Sequence, residues 1–176
     1  MKKRVFVAIG ISEELKGRIS QWQNKFSTLP VRWIGKKNLH VTIIPPWYEE
    51  NVEKVKQAIQ EAVCHVGFFD LQFHRITFGP SQNRPRLIWI EGPSPKKLID
   101  LTMKLEKVLR KKSERRSFLL HLTVARFKPE IYSTFSIKQL DEKVLWNEKV
   151  ASVVLMESRL LKGGADYESI AACSLQ

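Results

Sequence analysis

The chain has 176 residues, enough for one domain or two small lobes on a shared core, and a chain of that size needs neither disulfides nor a structural metal to fold. Lys and Arg outnumber Asp and Glu by 30 to 18, a net charge of +12, which favours polyanionic partners through phosphate contacts and counterion release. Cys64 and Cys173 lie in apolar segments without zinc or redox spacing, and no apolar run approaches the roughly 18 residues of a membrane span, so a reduced, cytoplasmic, non-membrane protein is expected.

Lys2-Lys3-Arg4 leads into Val5–Ile9, a short β-rich run with polar residues close behind, which reads as a first strand and not a signal peptide. Ser12 is placed to cap a helix whose first turn holds Glu13 and Glu14 and whose inner stripe is Leu15, Ile19, Trp22 and Phe26. Leu29-Pro30 stops that helix; Val31–Ile34 is a short strand, and Gly35-Lys36-Lys37-Asn38 a basic loop. His40-Val41-Thr42-Ile43-Ile44 follows as a strand that Pro45-Pro46 should end. Asn51 caps a second helix with Val52, Val55, Ile59, Ala62 and Val63 inside, and Phe68–Phe78 alternates as a strand. The turn-rich stretch Gly79–Pro85 is the best candidate for a connection between lobes.

The pattern then restarts. Arg86–Ile90 reads as a strand, Lys97–Lys111 as a helix, Lys112–Ser117 as a basic loop, and Leu119–Arg126 as a second strand carrying His121 and Thr123. Val5 to His40 and Leu87 to His121 span nearly equal lengths of chain. A short helical stretch near Ile137–Leu145 and strands at Val150–Leu160 and Tyr167–Ser174 complete the second round. The expected architecture is α+β: one domain, 1–176, of two pseudo-symmetric lobes with approximate halves 1–82 and 83–176. Each lobe is an antiparallel sheet with helices outside, and the two His-x-Thr strands face a central cleft.

Side chains alternate along a strand, so His40 and Thr42 share a face, as do His121 and Thr123. A single strand histidine is usually structural, and His65 and His74 read that way. Two matched pairs on otherwise apolar strands incur a desolvation cost unless a hydrated site uses them. Two histidines without Cys, Asp or Glu at ligand spacing fall short of a metal site, so neither metal nor cofactor is expected. Nucleophilic catalysis by Thr123 or Ser117 lacks an acidic third member. Phosphoryl transfer fits better: one imidazole takes a proton from water, the other gives one to the leaving oxygen, and the hydroxyls bind non-bridging oxygens. The residues alone do not say which imidazole is acid and which is base.

Paired His-x-Thr motifs resemble the 2H phosphoesterase superfamily. Their surroundings resemble its RNA 2′,3′-cyclic phosphodiesterases, also called 2′–5′ RNA ligases. The match runs nearly end to end: Arg4–Ile9, Val31-Arg32-Trp33, Asn38–Thr42, Arg84-Pro85-Arg86, His121–Arg126, Glu157-Ser158-Arg159, Gly163-Gly164-Ala165 and Tyr167. The resemblance implies metal-independent hydrolysis of a 2′,3′-cyclic phosphate at an RNA end to a 2′-phosphate, and joining of tRNA halves through a 2′–5′ bond. It implies His40 as proton donor, His121 as acceptor, and Thr42 and Thr123 as holders of the phosphoryl group. Arg126 closes the second motif, although strand parity puts it off the His121 face unless a bulge or strand end intervenes. Ile43-Ile44-Pro45-Pro46-Trp47 departs from the more basic and aromatic continuation of many members, so the rim beyond His40 is expected to differ.

Trp33, Trp47 and Tyr48 are candidates to stack a base, and Phe78 belongs by default to the core. A monomer acting on tRNA halves or oligonucleotides with cyclic-phosphate ends is the leading expectation. The rivals are an RNA-binding module without useful catalysis, and a phosphodiesterase for small cyclic nucleotides or 2′–5′ oligonucleotides.

Overall fold

The computed structural model describes residues 1–81, 83–111 and 118–176. The basic loop Lys112–Ser117, with Arg115, Arg116 and Ser117, lies outside the described residues. Nine strands and three α-helices are found among the described residues: β1 (Lys3–Gly10), α1 (Glu13–Lys25), β2 (Arg32–Trp33), β3 (His40–Glu49), α2 (Val52–Val63), β4 (Phe69–Gly79), β5 (Leu87–Gly92), α3 (Lys96–Val108), β6 (Leu120–Arg126), β7 (Asp141–Val150), β8 (Ser152–Leu161) and β9 (Gly164–Ser174). They form two antiparallel sheets, in orders β3-β1-β8-β9 and β2-β6-β5-β4-β7, so the α+β expectation holds.

The sheets are built alike, but they do not follow the halves 1–82 and 83–176. β4 of the first half pairs with β5 of the second, and β8 of the second half pairs with β1 of the first. The second half therefore hands β8 and β9 to the sheet of β1 and β3, the first half hands β4 and the short β2 to the sheet of β5 and β6, and Gly79–Pro85 joins two neighbouring strands of one sheet and does not connect lobes. The helices cross over as well. α1 follows β1 yet packs on β7, and α3 follows β5 yet packs on β3 and α2. One hydrophobic core runs through both sheets as a result.

Local signals explain the helices. The Ser12 hydroxyl accepts from the Leu15 N–H at 3.2 Å and donates to the buried Glu148 carboxylate of β7 at 2.8 Å. That carboxylate also accepts from the Ser12 N–H at 2.9 Å, at the helix end where a negative charge is favoured. Trp22 Nε1 donates to Glu142 of β7 at 2.7 Å, so the inner stripe of α1 is fastened at both ends. Asn51 caps α2 by accepting from the Lys54 N–H at 3.0 Å.

Two local expectations are corrected. Pro45 and Pro46 do not end β3, which continues to Glu49. β3 is an edge strand, and between the pairs Val5–Trp47 and Val7–Ile44 two residues oppose one; an edge and a bulge are where proline's missing N–H is tolerated. Residues Ile137–Leu145 are not helical: Asp141 onward is β7, paired with β4, and Glu142, Val144, Trp146, Glu148 and Val150 turn inward at period two. The alternation of β4 holds through Leu71 and Phe73, after which Ile76–Gly79 are all buried.

Candidate active site

β3 and β6 touch across the space between the sheets. On β3, His40 and Thr42 stand beside Gly10 and Ala8 of β1; on β6, His121 and Thr123 stand beside Glu91 and Trp89 of β5. The opposite faces, Val41 and Ile43 on one strand and Leu122 and Val124 on the other, are buried in the core. Apolar packing of one face thus orients the polar face of each strand, and the four polar side chains line a single pocket of about 60 Å³. A pocket of that volume holds a few water molecules or a phosphoryl group.

The two imidazoles are anchored alike. His40 Nδ1 donates to the Asn38 carbonyl at 2.7 Å and His121 Nδ1 to the Leu119 carbonyl at 2.9 Å, in each case two residues back. A carbonyl only accepts, so the proton sits on Nδ1 of each neutral ring and Nε2 is left for chemistry. The Thr42 hydroxyl donates to His40 Nε2 at 3.1 Å. His40 also packs on the rings of Phe6 and Tyr167, each centroid 5.0 Å away, and His121 lies 4.8 Å from the Trp89 ring.

Burial pushes His40 down to about 4; the Asn38 carbonyl pulls the other way, and Arg126 and His121 add to the depression. The unfolded chain therefore takes up this proton first as the pH falls. The stability that a neutral His40 contributes is complete above about pH 6.5 and is lost toward pH 4, a total of about 3 kcal/mol. Denaturant titrations of the wild type and His40→Gln should show a stability gap that changes by about that amount between pH 7 and pH 4. A gap constant with pH would mean that His40 titrates normally.

Arg126 lines the same pocket. The β5–β6 register slips between the pairs Ile88–Ala125 and Trp89–Thr123, so Val124 is the extra residue of a bulge. Its carbonyl is taken by the Ile34 N–H at 2.9 Å and by Gln23 Nε2 at 3.1 Å. The bulge reverses strand parity and turns Arg126 to the side of Thr123. Trp33 and Tyr48 do not line the pocket. Trp33 packs edge-on against Trp22 with centroids 6.1 Å apart, and Tyr48 is exposed near the far end of β3. Trp47 sits under Lys111 Nζ at 4.3 Å, and Phe78 belongs to a cluster with Phe127, Tyr132 and Phe135.

Ile34, Asn38 and Tyr167 complete the lining, and sequence reasoning gave none of them a role. Asn38 binds the third wall in place: its Nδ2 donates to the Ala165 carbonyl at 3.2 Å, and its Oδ1 accepts from the Tyr167 N–H at 3.2 Å. Lys37 reinforces this through Asp166 at 3.0 Å, and Arg32 donates to the Gly163 carbonyl at 2.8 Å. Gly164 has φ +123°, a conformation that L side chains rarely adopt, so glycine suits this turn. The only signal in sequence was that Asn38 and Tyr167 stand within the quoted motifs. Among the described residues, no three His, Cys, Asp or Glu side chains gather as a metal site would require.

Residues 11–160 match the profile of the 2′-5′ RNA ligase superfamily. The chain belongs to that superfamily. An RNA 2′,3′-cyclic phosphodiesterase of Methanocaldococcus jannaschii is 28% identical over 173 residues, 95% of this chain and 98% of that protein. A protein of the same name from Methanothermobacter thermautotrophicus is 24% identical over 176 residues, 95% of this chain and 96% of that one. The crystal structure of TT0787 of Thermus thermophilus superposes with a TM-score of 0.80 at 19% identity, covering 98% of this chain and 97% of that one. E. coli LigT complexed with 3′-AMP gives 0.78 at 22% identity, covering 100% and 99%. At these identities the structural likeness speaks for the fold alone, which this chain shares with both structures.

Proposed function

We propose that the chain is a cytoplasmic phosphodiesterase that opens RNA 2′,3′-cyclic phosphate ends to 2′-phosphates without a metal. The observation that carries this reading is the convergence of His40 and His121, matched in their Nδ1 anchors, on one pocket with two threonine hydroxyls and an arginine. His121 Nε2 takes a proton from water as its oxygen attacks phosphorus, and His40 gives a proton to the departing 3′ oxygen. The P–O3′ bond breaks, and a 2′-phosphomonoester and a 3′-hydroxyl remain. Thr42 and Thr123 donate to the non-bridging oxygens, and Arg126 offsets their charge. Burial keeps His40 neutral in the free enzyme, so the donor proton arrives with substrate: an anionic phosphodiester between His40 and Arg126 favours the imidazolium. With a 5′ hydroxyl in place of water, the same displacement forms a 2′–5′ linkage, the route by which tRNA halves would be joined.

The names of the two archaeal relatives support an RNA substrate. The test is product analysis on RNA ending in a 2′,3′-cyclic phosphate, with EDTA present. Conversion to a 2′-phosphate at an undiminished rate is expected. A 3′-phosphate product would mean that the 2′ oxygen leaves, and salt-sensitive RNA binding without conversion would favour the binding-module alternative.

A further inference from the structure

The face of the first sheet that turns toward the pocket continues beyond it. Val5, Val7 and Ile9 of β1 belong to the main core, while Phe6 and Ala8 form a separate cluster with Met156, flanked by Val154 and Tyr167. Arg4 shares the parity of Phe6 and Ala8, and Ser158 that of Met156. Tyr48 pairs with Arg4, Arg4 donates to the Ser158 hydroxyl, and Ser158 pairs with Tyr167. One cross-strand row on this face therefore reads Tyr48, Arg4, Ser158, Tyr167. Its last member lines the pocket, and its first is 65% exposed.

The charge in this row is distinctive. The neighbouring cations are matched by carboxylates: Lys2 by Glu50, Lys3 by Glu157, and Arg159 by Glu157 and Glu168. Arg4, half-buried, has no carboxylate partner among the described residues, and its one side-chain hydrogen bond goes to the neutral, buried Ser158. A cation held in place without a counter-ion, beside an exposed ring, has the chemistry that meets a phosphodiester and a stacked base. Three strand spacings separate Tyr48 from Tyr167, about 14 Å, and Arg4 lies four residues from Ala8, about 13 Å along β1, so the row spans a short run of nucleotides. The other sheet offers a contrasting path. Its recess beyond His121 holds Arg75, which is neutralised by Glu91 at 2.9 Å, together with Lys143 and the exposed Leu145.

We propose that the Tyr48–Arg4–Ser158–Tyr167 row binds the nucleotides on the 5′ side of the cyclic phosphate, with Arg4 on a backbone phosphate and Tyr48 stacked on a base. This rests on the phosphodiesterase reading above and adds the path taken by the RNA strand. The test compares kcat/KM for a mononucleotide 2′,3′-cyclic phosphate and a trinucleotide ending in one, in the wild type, Arg4→Ala, Tyr48→Ala, and a Lys143→Ala, Leu145→Ala double variant. The wild type should prefer the trinucleotide. Arg4→Ala and Tyr48→Ala should each lower the trinucleotide value about tenfold while leaving the mononucleotide value in place. Tyr48 is exposed, so its variant tests the row even where Arg4→Ala disturbs folding. Equal losses on both substrates, no loss on either, no preference in the wild type, or a length-dependent loss confined to the double variant would each overturn the proposal and leave the hydrolase intact. Failure of the wild type to open either substrate would remove both readings.

Discussion

Alanine at His40 or at His121 should lower kcat by about 10²- to 10⁴-fold, the range that a positioned acid or base contributes. Each ring keeps Nε2 for proton transfer because Nδ1 is tied to a carbonyl two residues back. Among the described side chains of the lining, Thr42, Thr123, Asn38 and Arg126 are not proton-transfer groups of the kind an imidazole is. The two losses should not multiply in the double variant, since each proton transfer depends on the other. His40 packs between Phe6 and Tyr167, so His40→Ala also leaves space in the cluster, whereas His40→Gln retains more of the volume with the same expected catalytic loss. The measurement is single-turnover hydrolysis of a cyclic-phosphate RNA end by variants checked for native unfolding profiles. A variant within tenfold of the wild type would mean that the reaction proceeds without that imidazole.

Thr42→Val and Thr123→Val are expected to cost about 10²- to 10³-fold each in kcat, the effect of removing one donor aimed at developing charge. Valine nearly matches threonine in shape and suits a strand, so both variants should fold. The two should differ in one respect. Thr42 also donates to His40 Nε2 at 3.1 Å, so its removal leaves a largely buried ring nitrogen without a partner in the free enzyme, which Thr123→Val does not. Thr42→Val should therefore show a stability loss of about 1 kcal/mol beside its kinetic defect, and Thr123→Val the kinetic defect with little change in stability. Steady-state kinetics paired with denaturant titration separates the two. A raised KM with unchanged kcat would assign the hydroxyls to ground-state binding instead.

The motif strands and most helices were legible because their signals are local. A cap residue, a stripe at helical spacing and an apolar–polar alternation each occupy one short stretch, as at Ser12, Asn51 and Leu120–Thr123. The duplicated order also pointed to two matched sheets. What escaped depends on partners distant in sequence. The stretch Ile137–Leu145 suggests a helix, yet from Asp141 it is held as a strand by pairing with β4, and Pro45-Pro46 could stay in β3 only because that strand lies at a sheet edge with a bulge. The Arg126 side chain reaches the pocket because Gln23 and Ile34 take the carbonyl of the bulged Val124, and nothing within Leu120–Arg126 announces those contacts.

By itself, the order of residues determined that two strands would each carry a histidine and a threonine on one face and bury the other, because side-chain alternation and the burial of apolar groups operate within a few residues. The tertiary structure alone decided that the two strands meet, that β4 joins one sheet and β8 and β9 the other, that burial holds His40 neutral, and that Asn38 and Tyr167 close the third wall. Those outcomes turn on which surfaces exclude water together, and that is settled only when segments far apart along the chain pack into one core.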